Sequence, residues 1–405
     1  MKILIVSQYY YPEQFQINEI APELVRRGHS VTVLCGTPNY PGGDIFPGYE
    51  KGANSEEVIS GVRVIRVRQK PRGHNPISLV LNYRSYVKEA NRYLKNNTED
   101  YDVVLGYQLS PITSMLPAFR FARDNNIPLL LYVLDIWPVS AQSHLPIKNG
   151  LVYKWLTTIS KSIYNAADRV LVTSRPFIDY LHKINQVSLG KIDYLPQHAD
   201  DSMLYEDLAN KHSATTNFMF AGNLGAGAAL DVIIKAASML DRSLDYKIHF
   251  VGDGSQRQKL EEMVRESGLT ERIEFHGQKM RAEMPRYYQM ADALLITLRG
   301  NNEVGNTMPG KLQMYMTTGK PILGAINGAA NEVIKESGCG KCVSAGDTEG
   351  LAQIMEHFIF HRDNYLHCGE NARRYFKDNF TLEKFMNALE KELLILCKNG
   401  VQKTY

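Results

Sequence analysis

Lys2-Ile-Leu-Ile-Val-Ser7 is a short, unbroken apolar run, the form taken by a parallel strand buried on both faces. Working outward, the pattern predicts a helix from about Gln16 to Arg27. Gly28-His29 ends that helix, and Ser30-Val-Thr-Val-Leu-Cys35 supplies the next strand, so the chain opens as a βαβ unit. Further strand-like runs at Val62 to Arg68, Val103 to Gly106, Leu129 to Leu134 and Arg169 to Thr173 alternate with helical stretches. That grammar belongs to a doubly wound α/β domain.

The same grammar starts again after residue 215. Asn217-Phe-Met-Phe-Ala221 reads as a strand, followed by a glycine-rich turn, a helix from about Leu230 to Leu240 and a strand from Tyr246 to Val251. Strands are expected again at Ile273 to Phe275, Ala293 to Thr297, Pro321 to Gly324 and Cys342 to Val343. A chain of 405 residues also exceeds the size at which one core usually stops growing. Two domains are therefore expected: residues 1–195, a linker at 196–216 and residues 217–380. A last helix, 381–397, carries Phe385, Leu389, Leu393 and Leu396 on one face and is expected to pack back on the first domain.

An apolar fraction of 44% and a charged fraction of 22% exclude disordered and fibrous classes. The five cysteines are odd in number, and the chain opens on a strand-like run without a basic-then-apolar leader, so a reducing cytoplasm is expected. Cys339 and Cys342 make a C-x-x-C with no second pair, and are read as small packing residues. No apolar run reaches the roughly 18 residues that span a bilayer. The net charge of +3 conceals a basic stretch from Arg63 to Lys95, opposed within it only by Glu89 and interleaved with Tyr83, Tyr86 and Tyr93. That stretch has two readings, a solvated helix face or a surface that meets anionic lipid or a phosphorylated partner. No nucleic-acid fold accompanies the charge.

In a doubly wound domain, ligands bind at the carboxyl ends of the strands. After Ser7 the chain reads Gln-Tyr-Tyr-Tyr-Pro-Glu-Gln-Phe-Gln16, without the glycine fingerprint of dinucleotide enzymes. The second half differs. Ala221 is followed by Gly222-Asn-Leu-Gly-Ala-Gly-Ala-Ala-Leu-Asp231, and Val251 by Gly-Asp-Gly254. In Thr307-Met-Pro-Gly-Lys311, Pro309 and Gly310 open a helix and put Lys311 near its positive end. Helix amides plus one ammonium suit a diphosphate.

With these residues in hand, the chain resembles the retaining family 4 glycosyltransferases of the GT-B fold. The resemblance rests on Gly28-His-Ser-Val-Thr-Val33, Asp135-Ile-Trp-Pro138, Ala167-Asp-Arg-Val-Leu-Val-Thr-Ser174, Gly222-Asn-Leu-Gly225, Val251-Gly-Asp-Gly254, Ile273-Glu-Phe-His-Gly277, Ala291-Asp292 and Pro309-Gly-Lys-Leu through Pro321. It looks most like the subgroup that builds capsule and O-antigen, including transferases of N-acetylfucosamine-type sugars. The resemblance implies two Rossmann-like domains facing each other across a cleft. It places a nucleotide sugar, expected to be UDP-linked, on the second domain and a lipid-linked or soluble glycan acceptor on the first. No cofactor is implied and no metal; the sequence has no Asp-x-Asp or paired-histidine motif. A cytoplasmic protein, peripheral on the inner face of the membrane, is expected.

Carried over position by position, Gly222, Asn223, Gly225, Gly252 and Asp253 would line the phosphate pocket, and Lys311 would neutralise the leaving group. Backbone near Phe275 and Gly277 would hold the base. Glu303, Asn306, Thr307 and Met308 would face the sugar or ribose, next to Pro309 and Gly310. Gln14, Phe15 and Asn18 would meet the acceptor. Asp135, beside Trp137, would orient the acceptor hydroxyl or stabilise positive charge in the transition state; a turn or helix-capping role is the alternative. His29 reads as a helix-end residue, and His198 lies near the linker.

The sequence departs from the family at two points. The loop Ala226-Gly227-Ala228 lacks a basic residue, and the usual pair of glutamates falls near Asn306 and Met314. Lys311, with Arg299, is expected to compensate for the lost charge. The departures leave room for two other readings, a nucleotide-sugar epimerase of the same fold and a weakly catalytic partner subunit.

Overall fold

The structure, a computed structural model, describes residues 1–140, 150–208, 214–300 and 308–402. It divides into two units, Met1–Pro196 with Met386–Tyr405, and Gln197–Phe385.

In chain order the first unit contains β1 (Lys2–Val6), α1 (Ile17–Arg26), β2 (Ser30–Gly36), β3 (Glu56–Ile59), β4 (Val62–Val67), α2 (Pro76–Lys95), β5 (Val103–Gln108), α3 (Leu116–Asp124), β6 (Leu129–Val133), α4 (Leu151–Ala166), β7 (Arg169–Val172), α5 (Arg175–Lys183) and β8 (Ile192–Tyr194). Its eight strands run in the order β3-β4-β2-β1-β5-β6-β7-β8, parallel except for the β3–β4 hairpin. The apolar run that opens the chain lies at the centre of this sheet, with Ile3, Ile5 and Val6 at 0% exposure. The chain steps outward from β1 through β2 and then returns to pair β5 on the other side. That reversal opens a crevice at the carboxyl ends of β1 and β5.

The second unit continues with β9 (Thr216–Ala221), α6 (Asp231–Met239), β10 (Tyr246–Val251), α7 (Arg257–Glu266), β11 (Ile273–Gly277), α8 (Met284–Met290), β12 (Ala293–Thr297), α9 (Gly310–Thr318), β13 (Ile322–Ala325), α10 (Gly328–Ser337), β14 (Gly340–Val343), α11 (Thr348–Phe360) and α12 (Leu366–Asn379). Its sheet runs β11-β10-β9-β12-β13-β14, wholly parallel, with the same reversal between β9 and β12. One face packs Phe218, Phe220, Ile248 and Phe250 against α6, α7 and α11, and the other packs Met219, Leu294 and Ile296 against Tyr315 and Phe376. Both architectures are Rossmann-like α/β layers.

The stretch read as a linker packs as far as residue 208 on the second unit, where Met203 and Leu208 are buried in its core and Ala199 N–H donates to Phe380 O. Residues 209–213 lie outside the described residues. The last helix, α13 (Leu382–Gln402), contributes its residues from Met386 onward to the first unit. There Glu390 accepts from Arg27 and pairs with His29, and Glu392 accepts from Arg169.

Two strands, β3 and β8, were not expected from the sequence. Burial in β3 alternates around Glu56, Glu57 and Val58 without an apolar run, and β8 is only three residues long, so neither shows a buried-strand signature.

Candidate functional site

The loops after β9, β10 and β11 are laced together by main chain. Gly222 N–H donates to Val251 O (2.8 Å), Leu224 N–H to Asp253 O (2.9 Å), Gln256 N–H to Leu224 O (3.0 Å) and Gly252 N–H to Gly277 O (2.9 Å). A Cβ on Gly252 would stand 2.0 Å from the Gly222 carbonyl oxygen, at φ +138°, so no other residue fits there. Asn223 is exposed, and its side chain lies over Gly254 and beside Gly225.

Lys311 enters this frame from the first turn of α9, whose N-cap is Pro309. Its Nζ stands 3.3 Å from the centre of the Phe220 ring, and a Cβ on Gly222 would come within 2.9 Å of it. Burial pushes the ammonium down to about 7, and no carboxylate among the described residues pairs with it. A cation held in this way is prepared for an anion at the positive end of α9.

The loop at Ala226-Gly227-Ala228 is held from β12. Arg299 Nε donates to Ala226 O (2.7 Å), Arg299 N–H to Gly227 O (3.1 Å) and Thr297 Oγ1 to Ala228 O (2.5 Å), while the Arg299 guanidinium also pairs with Asp231. A trans peptide points its N–H away from its own C=O, so the amides of Gly227 and Ala229 face the opposite side. Arg299 therefore acts on this pocket through the loop's backbone. Asp253 is engaged locally, accepting from Gly254 N–H and Arg257, which hold its exposed carboxyl below the usual range. Arg257, which the sequence reading left out, also lies beside Gly277. Phe275 stacks on Phe250 with ring centres 5.1 Å apart. Met308 is partly buried in the core, and Gly310 is exposed. Glu303, Asn306 and Thr307 lie outside the described residues.

In the first unit, Asp135 follows β6. Its two carboxylate oxygens accept from the hydroxyls of Ser110 and Ser140, and Trp137 Nε1 donates to Ser110 Oγ (2.9 Å). Ser110 follows β5, so the network joins two strand ends at the edge of the crevice.

Phe15 is half-buried, stacks on Tyr9 (5.4 Å) and meets Tyr40 at a tilt (5.3 Å), while Gln14 is exposed. Arg72 caps the cluster, lying 5.3 Å from the Tyr40 ring centre and 5.8 Å from that of Tyr83, and donating to the Tyr9 hydroxyl (2.9 Å). Glu13, buried beneath, accepts from the backbone N–H of Asn39, Tyr40 and Tyr10, and burial raises its carboxyl to about 7. Asn18 Nδ2 donates to Glu13 O (2.6 Å). That Tyr9, Tyr40, Arg72 and Tyr83 meet was not legible in the sequence, because they are brought together from three separate segments.

The basic stretch needs correcting, because its opposing acids lie outside the sequence window. Arg63 pairs with Glu56 and Glu99, and Arg66 is buried on Glu57, Asn54 O and Tyr11 O. What remains is a groove of about 820 Å³ walled by Arg68 and Lys70, which follow β4, and by Arg84, Lys88, Arg92 and Glu89 of α2, where Glu89 pairs with Arg92; the same helix exposes Ile77, Val80 and Leu81. Among the described residues, no helix is long and apolar enough to cross a membrane.

Comparison with known proteins agrees with this arrangement. Residues 14–198 match the family described as glycosyl transferase 4-like domain, and residues 215–360 match glycosyl transferases group 1. The chain is similar to a probable glycosyltransferase, WbjE, of Pseudomonas aeruginosa, 24% identical over 270 residues. That match covers 63% of this chain and 65% of WbjE, just under two thirds of the relative's length. Among solved structures, a glycosyltransferase of Rickettsia africae superposes with a TM-score of 0.71 at 16% identity, covering 98% of this chain and 99% of that one. Anabaena Alr3699/HepE, solved in complex with UDP, superposes with a TM-score of 0.69 at 15% identity, covering 97% and 99%. The shared fold is that of the GT-B glycosyltransferases.

Proposed function

Because residues 14–198 match the glycosyl transferase 4-like domain and residues 215–360 match glycosyl transferases group 1, we propose that the chain moves a sugar from a UDP-linked donor to a lipid-linked or soluble glycan precursor, with retention, in capsule, O-antigen or exopolysaccharide synthesis. The observation that carries the reading is Lys311, a half-buried lysine whose ammonium lies over the Phe220 ring beside Gly222 at the start of α9, without a carboxylate partner among the described residues. The UDP of the Alr3699/HepE complex supports the choice of nucleotide.

On this reading the diphosphate rests on the amides of the glycine loop and on the first turn of α9. As the bond between the anomeric carbon and the phosphate oxygen breaks, negative charge grows on the departing UDP and Lys311 neutralises it. The acceptor oxygen attacks from the same face, and its proton passes to the departing phosphate oxygen. Lys311 and the helix terminus supply the charge stabilisation, so the step requires no divalent metal. The acceptor sugar stacks on the aromatic cluster of Phe15 and Tyr40, with Arg72 beside it, and Asp135 orients its hydroxyl. The cationic groove and exposed apolar residues of α2 support an acceptor carried at the cytoplasmic face of the membrane, with the protein peripheral there.

The test is Lys311→Ala with UDP-sugars and a membrane lipid extract as acceptor. Transfer is expected to fall by about 10²–10³-fold with the fold retained, as for loss of one group that stabilises a developing anion. Full activity in that variant, or no UDP binding by calorimetry in the parent, would overturn the assignment.

A further inference from the structure

His249 on β10 and Glu274 and His276 on β11 meet on the sheet face opposite Phe250, with ligand-capable atoms all within 4.8 Å of one another. His249 Nδ1 lies 3.0 Å from His276 Nε2, and Glu274 Oε2 lies 3.7 Å and 3.8 Å from these two nitrogens.

The orientation of each group is fixed from outside the cluster. Asn217 Nδ2 donates to Thr215 O, which turns Asn217 Oδ1 toward His249 Nε2 at 3.1 Å. Nε2 must therefore carry the His249 proton, and Nδ1 presents a lone pair to the other two residues. An imidazole that donates its far N–H to an amide oxygen is the usual support for a metal ligand. Lys247 binds Glu274 Oε1 and leaves Oε2 facing the histidines.

We propose that these three residues bind one zinc-class divalent cation through His249 Nδ1, His276 Nε2 and Glu274 Oε2. Ligand atoms about 2.0–2.1 Å from a tetrahedral zinc stand roughly 3.3–3.4 Å apart, and the three observed separations bracket that spacing. Lys247, Lys279 and Arg286 surround the cluster, and their charge opposes hard ions held by electrostatics alone. Two imidazoles favour a borderline ion bound by nitrogen donation. The ion joins β10 to β11 beside Phe275 and Gly277 and acts as a staple of the strand ends, whatever the donor proves to be. His276 changes tautomer on binding, from donating Nε2–H toward His249 to carrying its proton on Nδ1.

The full chain, stripped with a chelator and desalted, would be titrated with zinc chloride against a chromophoric competitor. One zinc per chain is expected, with affinity lowered at least about 100-fold in His276→Ala and about 10-fold or more in Glu274→Gln. Zinc should raise the Tm of the parent and leave that of His276→Ala unchanged. Glu274→Gln keeps the side chain's shape, so it remains a valid comparison if His276→Ala folds poorly. The proposal is overturned if the parent takes up no zinc at micromolar concentrations, or if both variants bind as tightly as the parent.

Discussion

At the carboxyl end of the second sheet, Gly222 and Gly252 bring main chain against main chain and leave the Lys311 ammonium beside Gly222, over the Phe220 ring. At the same end of the first sheet, Tyr9, Phe15, Tyr40 and Arg72 close the loops with side chains. The first arrangement suits a ligand part that never varies, because amides recognise phosphate charge and ignore the rest of the molecule. The second stands on loops, where ring faces and a guanidinium can be exchanged without disturbing the sheet.

The contrast breaks most directly at Gly252. Gly252→Ala puts a methyl group 2.0 Å from the Gly222 carbonyl and should cost about 2–4 kcal/mol of stability and abolish UDP binding, measured by thermal melting and calorimetry. Next in size, Asp135→Asn should keep the hydrogen bonds of Ser140 and Ser110 largely in place and lower kcat about 10²-fold with UDP affinity unchanged, which separates a charge role from a turn-capping one. Arg72→Ala should raise the acceptor KM about tenfold and leave UDP affinity alone, because its partners all lie in the first unit.

The smallest effect is the pH dependence of UDP binding. Burial holds the Lys311 ammonium at about 7 in the free protein, and a bound diphosphate raises it. Binding therefore takes up a proton, and affinity is full below about pH 7 and falls as pH rises above it. Calorimetry at pH 8 in buffers of different ionisation enthalpy should show proton uptake in the parent and none from this position in Lys311→Ala.

The loops proposed for the donor stand out in the sequence because strand runs such as Phe218 to Ala221 and the glycines that follow them are contiguous in the chain. Of the cluster proposed for the acceptor, only Phe15 was singled out in the sequence, with Gln14 and Asn18 beside it. Arg66 shows the reason. Within its window it counts as one more surface cation, yet it is buried on Glu57, a partner supplied by the β3–β4 hairpin. Arg299, expected to help compensate for the charge that the glycine loop lacks, donates to Ala226 O, a contact that depends on β9 and β12 being neighbours.

By itself, the sequence determined the two parallel-sheet units, the glycine turns and the lysine at the head of α9, because periodicity and backbone permissiveness are local properties. Only the tertiary structure decided which charges are neutralised, which aromatic rings meet Arg72, and that His249 and His276, 27 residues apart, face each other at 3.0 Å. Electrostatic and ligand-forming contacts depend on distances of a few ångströms between strands, and strand order sets those distances.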